Sequence, residues 1–164
     1  MKLAALALLF AAVPGFSADG FVTSSIVKHL KVSKEYTIAI AKQMPAENYA
    51  FKPNPEEMSF GEQMNHIASA LSYFGTILDG GEPKEYKSAT KEATIESLGA
   101  AFDTLIARVD KMKDAQLHEM RKGEGQDMSI LDALMLALDH TAHHRAQCIV
   151  YLRVKGIKPV DFRF

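Results

Sequence analysis

The chain has 164 residues, 48% of them apolar, with 19 basic and 20 acidic side chains and a formal net charge of -1. That length suits one domain around one hydrophobic core, and the apolar share excludes a disordered chain. The balanced charge leaves no basic footprint for nucleic acid, and a single cysteine, Cys148, excludes an internal disulfide.

Met1-Lys2, the apolar run from Leu3 to Val13 and the break at Pro14-Gly15 form a secretory signal pattern over residues 1–17. Cleavage after Ser17 places Gly15 and Ser17 at the two small-residue positions; cleavage after Ala18 puts Phe16 at the inner one and is the second choice. The run is shorter than the roughly 20 apolar residues that span a bilayer, so a cleaved leader is favoured over a stable membrane anchor. The expected mature protein is one domain over residues 18–164, periplasmic or secreted. Loss of Lys2 with the leader takes the net charge from -1 to -2.

Phe21 to about Met44 carries apolar residues near helical spacing until Pro45 stops it. The segment from Ala46 to Met58 holds Pro53 and Pro55 around Asn54, which forbids a regular helix and predicts a fixed-shape loop. Ser59 and Glu62 then form a capping box, and Phe60, Met64, Ile67, Leu71, Phe74 and Leu78 define a second helix that ends at Gly80-Gly81. A charged linker from Glu82 to Lys91 leads to a third helix, about Ile95 to Lys113, with Thr94 as its N-cap. Asp114 to Asp127 loses the period and predicts a loop holding a short strand or helical fragment. Ser129 and Asp132 open a fourth helix, which runs to Lys155 and is ended by Gly156 and Pro159. Four helices without clear strands predict an all-α four-helix bundle.

The fourth helix carries three of the six histidines, His140, His143 and His144. A helix turns about 100° per residue, so His140 and His144 stand about 40° apart and one turn apart along the axis, where their imidazoles can converge on one ion. His143 points about 60° to the other side of His140 and is the poorer partner. Ala133, Ala137, His140, His144, Gln147 and Tyr151 share one stripe, which turns the histidine pair inward. His66, in the middle of the second helix beside Met64, Ile67 and Leu71, is the best third ligand. Three imidazoles from two helices leave coordination open for water or substrate. They suit zinc or nickel first, and iron or copper as well.

The neighbours are read more plainly. Cys148 is a small buried apolar residue, and His29 and His118 are surface side chains. Gln147 contacts either a ligand or the bundle interior. Arg145 and Asp139 are solvated or capping charges on the far side of the helix, with Asp139 alternatively orienting a histidine. The Pro53-Asn54-Pro55 loop, Tyr73 and Tyr151 can shape a ligand pocket.

The stretch from Ser59 to Ala68 (SFGEQMNHIA), together with Asp139 to Gln147 (DHTAHHRAQ), resembles the DinB/YfiT-like superfamily in motif, helix order and length. The resemblance implies an up-down-down-up bundle with a divalent metal held by His66, His140 and His144. It also implies a homodimer, and metal-dependent chemistry such as thiol S-transfer or hydrolysis on a small-molecule substrate. The expected function is an exported metal-dependent enzyme using a metal-activated water or thiol. The alternative is a non-catalytic bundle that binds a metal or a small ligand.

Overall fold

A computed structural model describes residues 20–123 and 125–163, so the expected leader lies outside the described residues. Helix α1 spans Phe21–Gln43, α2 Phe60–Asp79, α3 Lys91–Val109 and α4 Ile130–Val154. A short antiparallel hairpin, β1 Met120–Lys122 and β2 Asp127–Ser129, precedes α4 with Arg121 opposite Met128.

The helix starts follow from local chemistry. At α2 the Ser59 side chain accepts from the Glu62 N–H while the Glu62 carboxylate accepts from the Ser59 N–H at 2.6 Å, the reciprocal pair that satisfies two orphan donors. Ser129 and Asp132 repeat this arrangement at α4. Helix α1 has only Gly20 at its N-cap and borrows an acceptor from elsewhere. The Asp114 carboxylate takes the N–H groups of Val22 and Thr23, each at 2.9 Å.

The third helix starts earlier than the sequence reading placed it. Thr90 is the N-cap, accepting from the Ala93 N–H at 3.2 Å, while Thr94 lies inside the helix and donates its hydroxyl to the Thr90 carbonyl at 2.8 Å. The first turn, Lys91-Glu92-Ala93, is polar on its outer side, so hydrophobic periodicity becomes visible only after the helix has begun. The same helix closes at Val109, and Lys111 and Met112 belong to turns back onto Arg108 and Val109. The irregular segment contains a 3-10 turn at Asp114–His118 as well as the hairpin.

Side-chain contacts fix the helix directions. Helix α1 runs against α3, because Lys34 meets Asp103 at 2.5 Å while Lys91 reaches the Met44 carbonyl at the other end. Helices α2 and α3 run parallel: Asn65 bonds Ser88 near their starts, and Asp79 pairs with Arg108 at 3.1 Å near their ends. Helix α4 runs against α2 and along α1, with Tyr151 bonded to the Met58 carbonyl, Arg145 to Ser33, and Gln43 to the Lys158 carbonyl. The bundle is therefore up-down-down-up.

Leu30, Ile40, Phe60, Met64, Ile67, Leu98, Phe102, Leu134 and Leu152 are fully enclosed in one core that all four helices share. Truncating one such leucine to alanine costs about 2–5 kcal/mol, through lost apolar transfer and the cavity left behind. No helix of the described residues is long and apolar enough to cross a membrane.

Candidate metal centre

The antiparallel packing of α2 on α4 brings the middle of one helix against the middle of the other. His66 projects from α2, and His140 and His144 project one turn apart from α4. One ring nitrogen from each falls within 4.8 Å of the other two. The Nε2 atoms of His66 and His140 lie 3.0 Å apart, and His144 sits 4.5 Å from both other rings by centroid. The three residues expected to converge do so. His143 is exposed and stands outside the triad, with its ring 4.9 Å from that of His144 by centroid, and His29 and His118 are also exposed.

All three imidazoles are biased toward the neutral form. Burial pushes His144 down to about 4, reinforced by the nearby His140, His66 and His143. Burial also lowers His140, with His66 and His143 adding to the effect, and burial lowers His66. A neutral ring keeps a nitrogen lone pair, which is what a metal ligand needs.

Behind the rings lies a chain of amides. His144 Nδ1 stands 2.5 Å from the Gln63 Oε1, and the Gln63 amide nitrogen donates to the Gln147 Oε1. Gln147 Nε2 in turn lies 3.1 Å from His143 Nε2. Gln63 is 1% exposed, so its own bonds are made away from solvent, while the Gln147–His143 contact lies at the surface. Gln147 thus contacts the interior of the bundle. Gln63 is a functional residue that the sequence reading missed; the available signal was a polar amide one turn before His66 on the inward side of the helix.

Three other expectations are resolved by the surroundings. Cys148 is fully buried, with its Sγ 4.0 Å from the Phe60 carbonyl and its thiol pushed well up by burial, so it packs as an apolar residue. Arg145 is not a solvated charge. It donates to the Ser33 hydroxyl at 2.8 Å and the Thr37 hydroxyl at 3.2 Å, and covers the Tyr36 ring at 4.8 Å, because its side chain falls in the groove between α4 and α1. Asp139 is exposed and lines a surface recess beside the hairpin.

Two clefts reach the triad, both at His66 and one also at His140. One of about 610 Å³ lies between α2, the 52–58 loop and the 85–88 linker, and His66 is on its wall with Lys52, Glu56, Asn65 and Ser69. The other, about 410 Å³, is lined by Tyr73, Phe74, Ala70 and Pro83 together with His66 and His140. Tyr73 thus lines a cleft as anticipated, whereas Tyr151 is buried and ties α4 to the Met58 carbonyl.

The donor set fits a divalent ion of intermediate softness: three neutral imidazoles, with open space on one side. Residues 29–148 match the sequence model of the DinB superfamily. The protein YjoA of Bacillus subtilis, which is uncharacterized, is 23% identical over 146 residues, spanning 85% of this chain and 95% of that one. The crystal structure of that DinB-like protein superposes with a TM-score of 0.70 at 20% identity, over 84% of this chain and 96% of the other. A DinB-like protein from Bacillus cereus superposes at 0.76 with 18% identity, over 85% and 96%.

Proposed function

The chain belongs to the DinB superfamily, and from that premise we propose that it is an exported metal-dependent enzyme whose divalent ion is held by His66, His140 and His144. The observation that carries this reading is the convergence of three nitrogen donors within 4.8 Å, with His66 on the wall of two open clefts and His140 on the wall of one. Zinc or nickel suits the all-imidazole set best, with iron as a further candidate. Bound there, the ion supplies a Lewis acid with open coordination positions, able to acidify a water or a thiol near neutral pH.

The chain's own residues supply the rest. The three rings stay neutral and offer lone pairs, and the absence of a carboxylate from the triad leaves the positive charge of the ion uncompensated. The Tyr73-Phe74-Pro83 cleft suits an apolar electrophile. The cleft with Lys52, Glu56 and Asn65 suits a polar co-substrate. Two clefts sharing His66 favour group transfer between two small molecules, such as thiol S-transfer, over simple hydrolysis.

Elemental analysis of untagged mature protein tests the site. About one ion per chain in the wild type, lost in a His140→Ala/His144→Ala double variant, is the expected outcome; wild type that takes up no zinc, nickel or iron refutes it. Turnover lost on chelation and in His144→Ala tests the enzymatic part, and turnover retained by a metal-free variant refutes that part. Mass spectrometry of the exported chain, expected to begin at Ala18, tests export.

A further inference from the structure

We propose that Gln63 is a positioning residue: its amide oxygen fixes His144 as the Nδ1–H tautomer and so leaves Nε2 to face the site, with the Tyr151 hydroxyl fixing the Gln63 amide in turn. This rests on the metal reading for its purpose, though not for its geometry. An amide oxygen can only accept, so the 2.5 Å contact from His144 Nδ1 to the Gln63 Oε1 requires the proton to sit on Nδ1. In a neutral ring the lone pair then belongs to Nε2.

The orientation of the Gln63 amide is set from its other end. Its nitrogen can only donate, and it faces two acceptors, the Gln147 Oε1 and the Tyr151 hydroxyl oxygen at 3.4 Å. That hydroxyl gives its own proton to the Met58 carbonyl at 2.9 Å and keeps lone pairs to accept with. Gln147 Nε2 faces His143 Nε2 at 3.1 Å, an exposed ring that meets either end of that amide by changing tautomer, so this end of the chain does not set its direction. Tyr151 sets it: turning the Gln63 amide over would place its oxygen against the Tyr151 hydroxyl oxygen, whose proton is already given to the Met58 carbonyl. His66 and His140 differ, since their Nε2 atoms face each other at 3.0 Å and one must donate to the other until an ion takes both lone pairs. His144 is therefore the ligand whose lone pair is prepared in advance, and ligand-orienting partners of this kind are worth about 10–100-fold in metal affinity.

The test reads the tautomer directly, by nitrogen–proton correlation spectra of isotope-labelled histidine in metal-free mature protein at neutral pH, beside zinc titrations. Wild type is expected to show His144 as Nδ1–H. In Gln63→Leu that signature is lost and zinc binds about 10–100-fold more weakly. Gln63→Glu, whose carboxylate accepts the same proton on one oxygen and takes an N–H of Gln147 on the other once that amide turns over, is expected to keep the signature and restore affinity, which a packing role would not do. Gln63→Met, close to glutamine in length, serves where Gln63→Leu does not fold. His144 remaining Nδ1–H in the apolar variants, or Gln63→Glu binding as weakly as Gln63→Leu, overturns the assignment. Wild type that binds no zinc refutes the metal reading alone, while the spectra still decide the role of Gln63.

Discussion

His140, His143 and His144 stand within five residues of each other on α4, and their surroundings divide them. His143 is exposed, so His143→Ala is expected to leave metal content unchanged, whereas His144→Ala removes it. The burial of His144 also makes stability depend on pH. The folded chain holds this ring neutral down to about 4, while an unfolded chain protonates it below its ordinary value of 6.5. Between those values the unfolded state binds more protons. Stability is accordingly full above about pH 6.5 and is lost as the pH falls toward about 4. His140 and His66, lowered in the same direction, add to the effect. Urea midpoints of metal-free protein should drop across this window and drop less steeply in His144→Ala. An unchanged slope in the variant would assign the pH dependence to other groups.

Helix boundaries are settled by single hydrogen bonds, which gives each one a test. Ser59→Ala removes the acceptor for the Glu62 N–H and should cost about 1 kcal/mol in urea unfolding. Thr90→Ala should cost a similar amount, while Thr90→Ser, which keeps a hydroxyl to accept from the Ala93 N–H, should cost less. Equal losses in the two variants would argue against Thr90 as the cap. These elements also show what was legible in the sequence. The Ser59/Glu62 pair is read in sequence because both halves of the box lie three residues apart, and the histidine pair because helical spacing alone puts His140 above His144. The α3 start was missed because its cap precedes a polar first turn. The short strand expected after Asp114 could not be placed or paired, because three-residue strands are too short to show alternation. The Gln63 role was hidden because its partners, His144 and Gln147, lie 81 and 84 residues away. Arg145 was misjudged because the hydroxyls that hold it, Ser33 and Thr37, lie on α1.

The bundle as a whole turns those distant pairs into a site. Helices α2 and α4 are separated by all of α3 and the hairpin, yet they pack antiparallel, so the three rings meet only when the complete four-helix arrangement has formed. In the unfolded chain His66 is far along the sequence from His140 and His144, and no tridentate site exists. An ion that binds the triad therefore binds the folded state in preference and stabilises it by mass action, by about 2.7 kcal/mol when free ion stands at 100 times its dissociation constant. Zinc added to metal-free wild type should raise the melting temperature in proportion to the logarithm of its concentration, and a chelator should reverse the rise. The His140→Ala/His144→Ala double variant keeps the α2–α4 core of Met64, Ile67, Leu134 and Leu152 and should fold, but it should not respond to zinc. An equal rise in the double variant would place the ion elsewhere on the molecule and detach the metal from the triad.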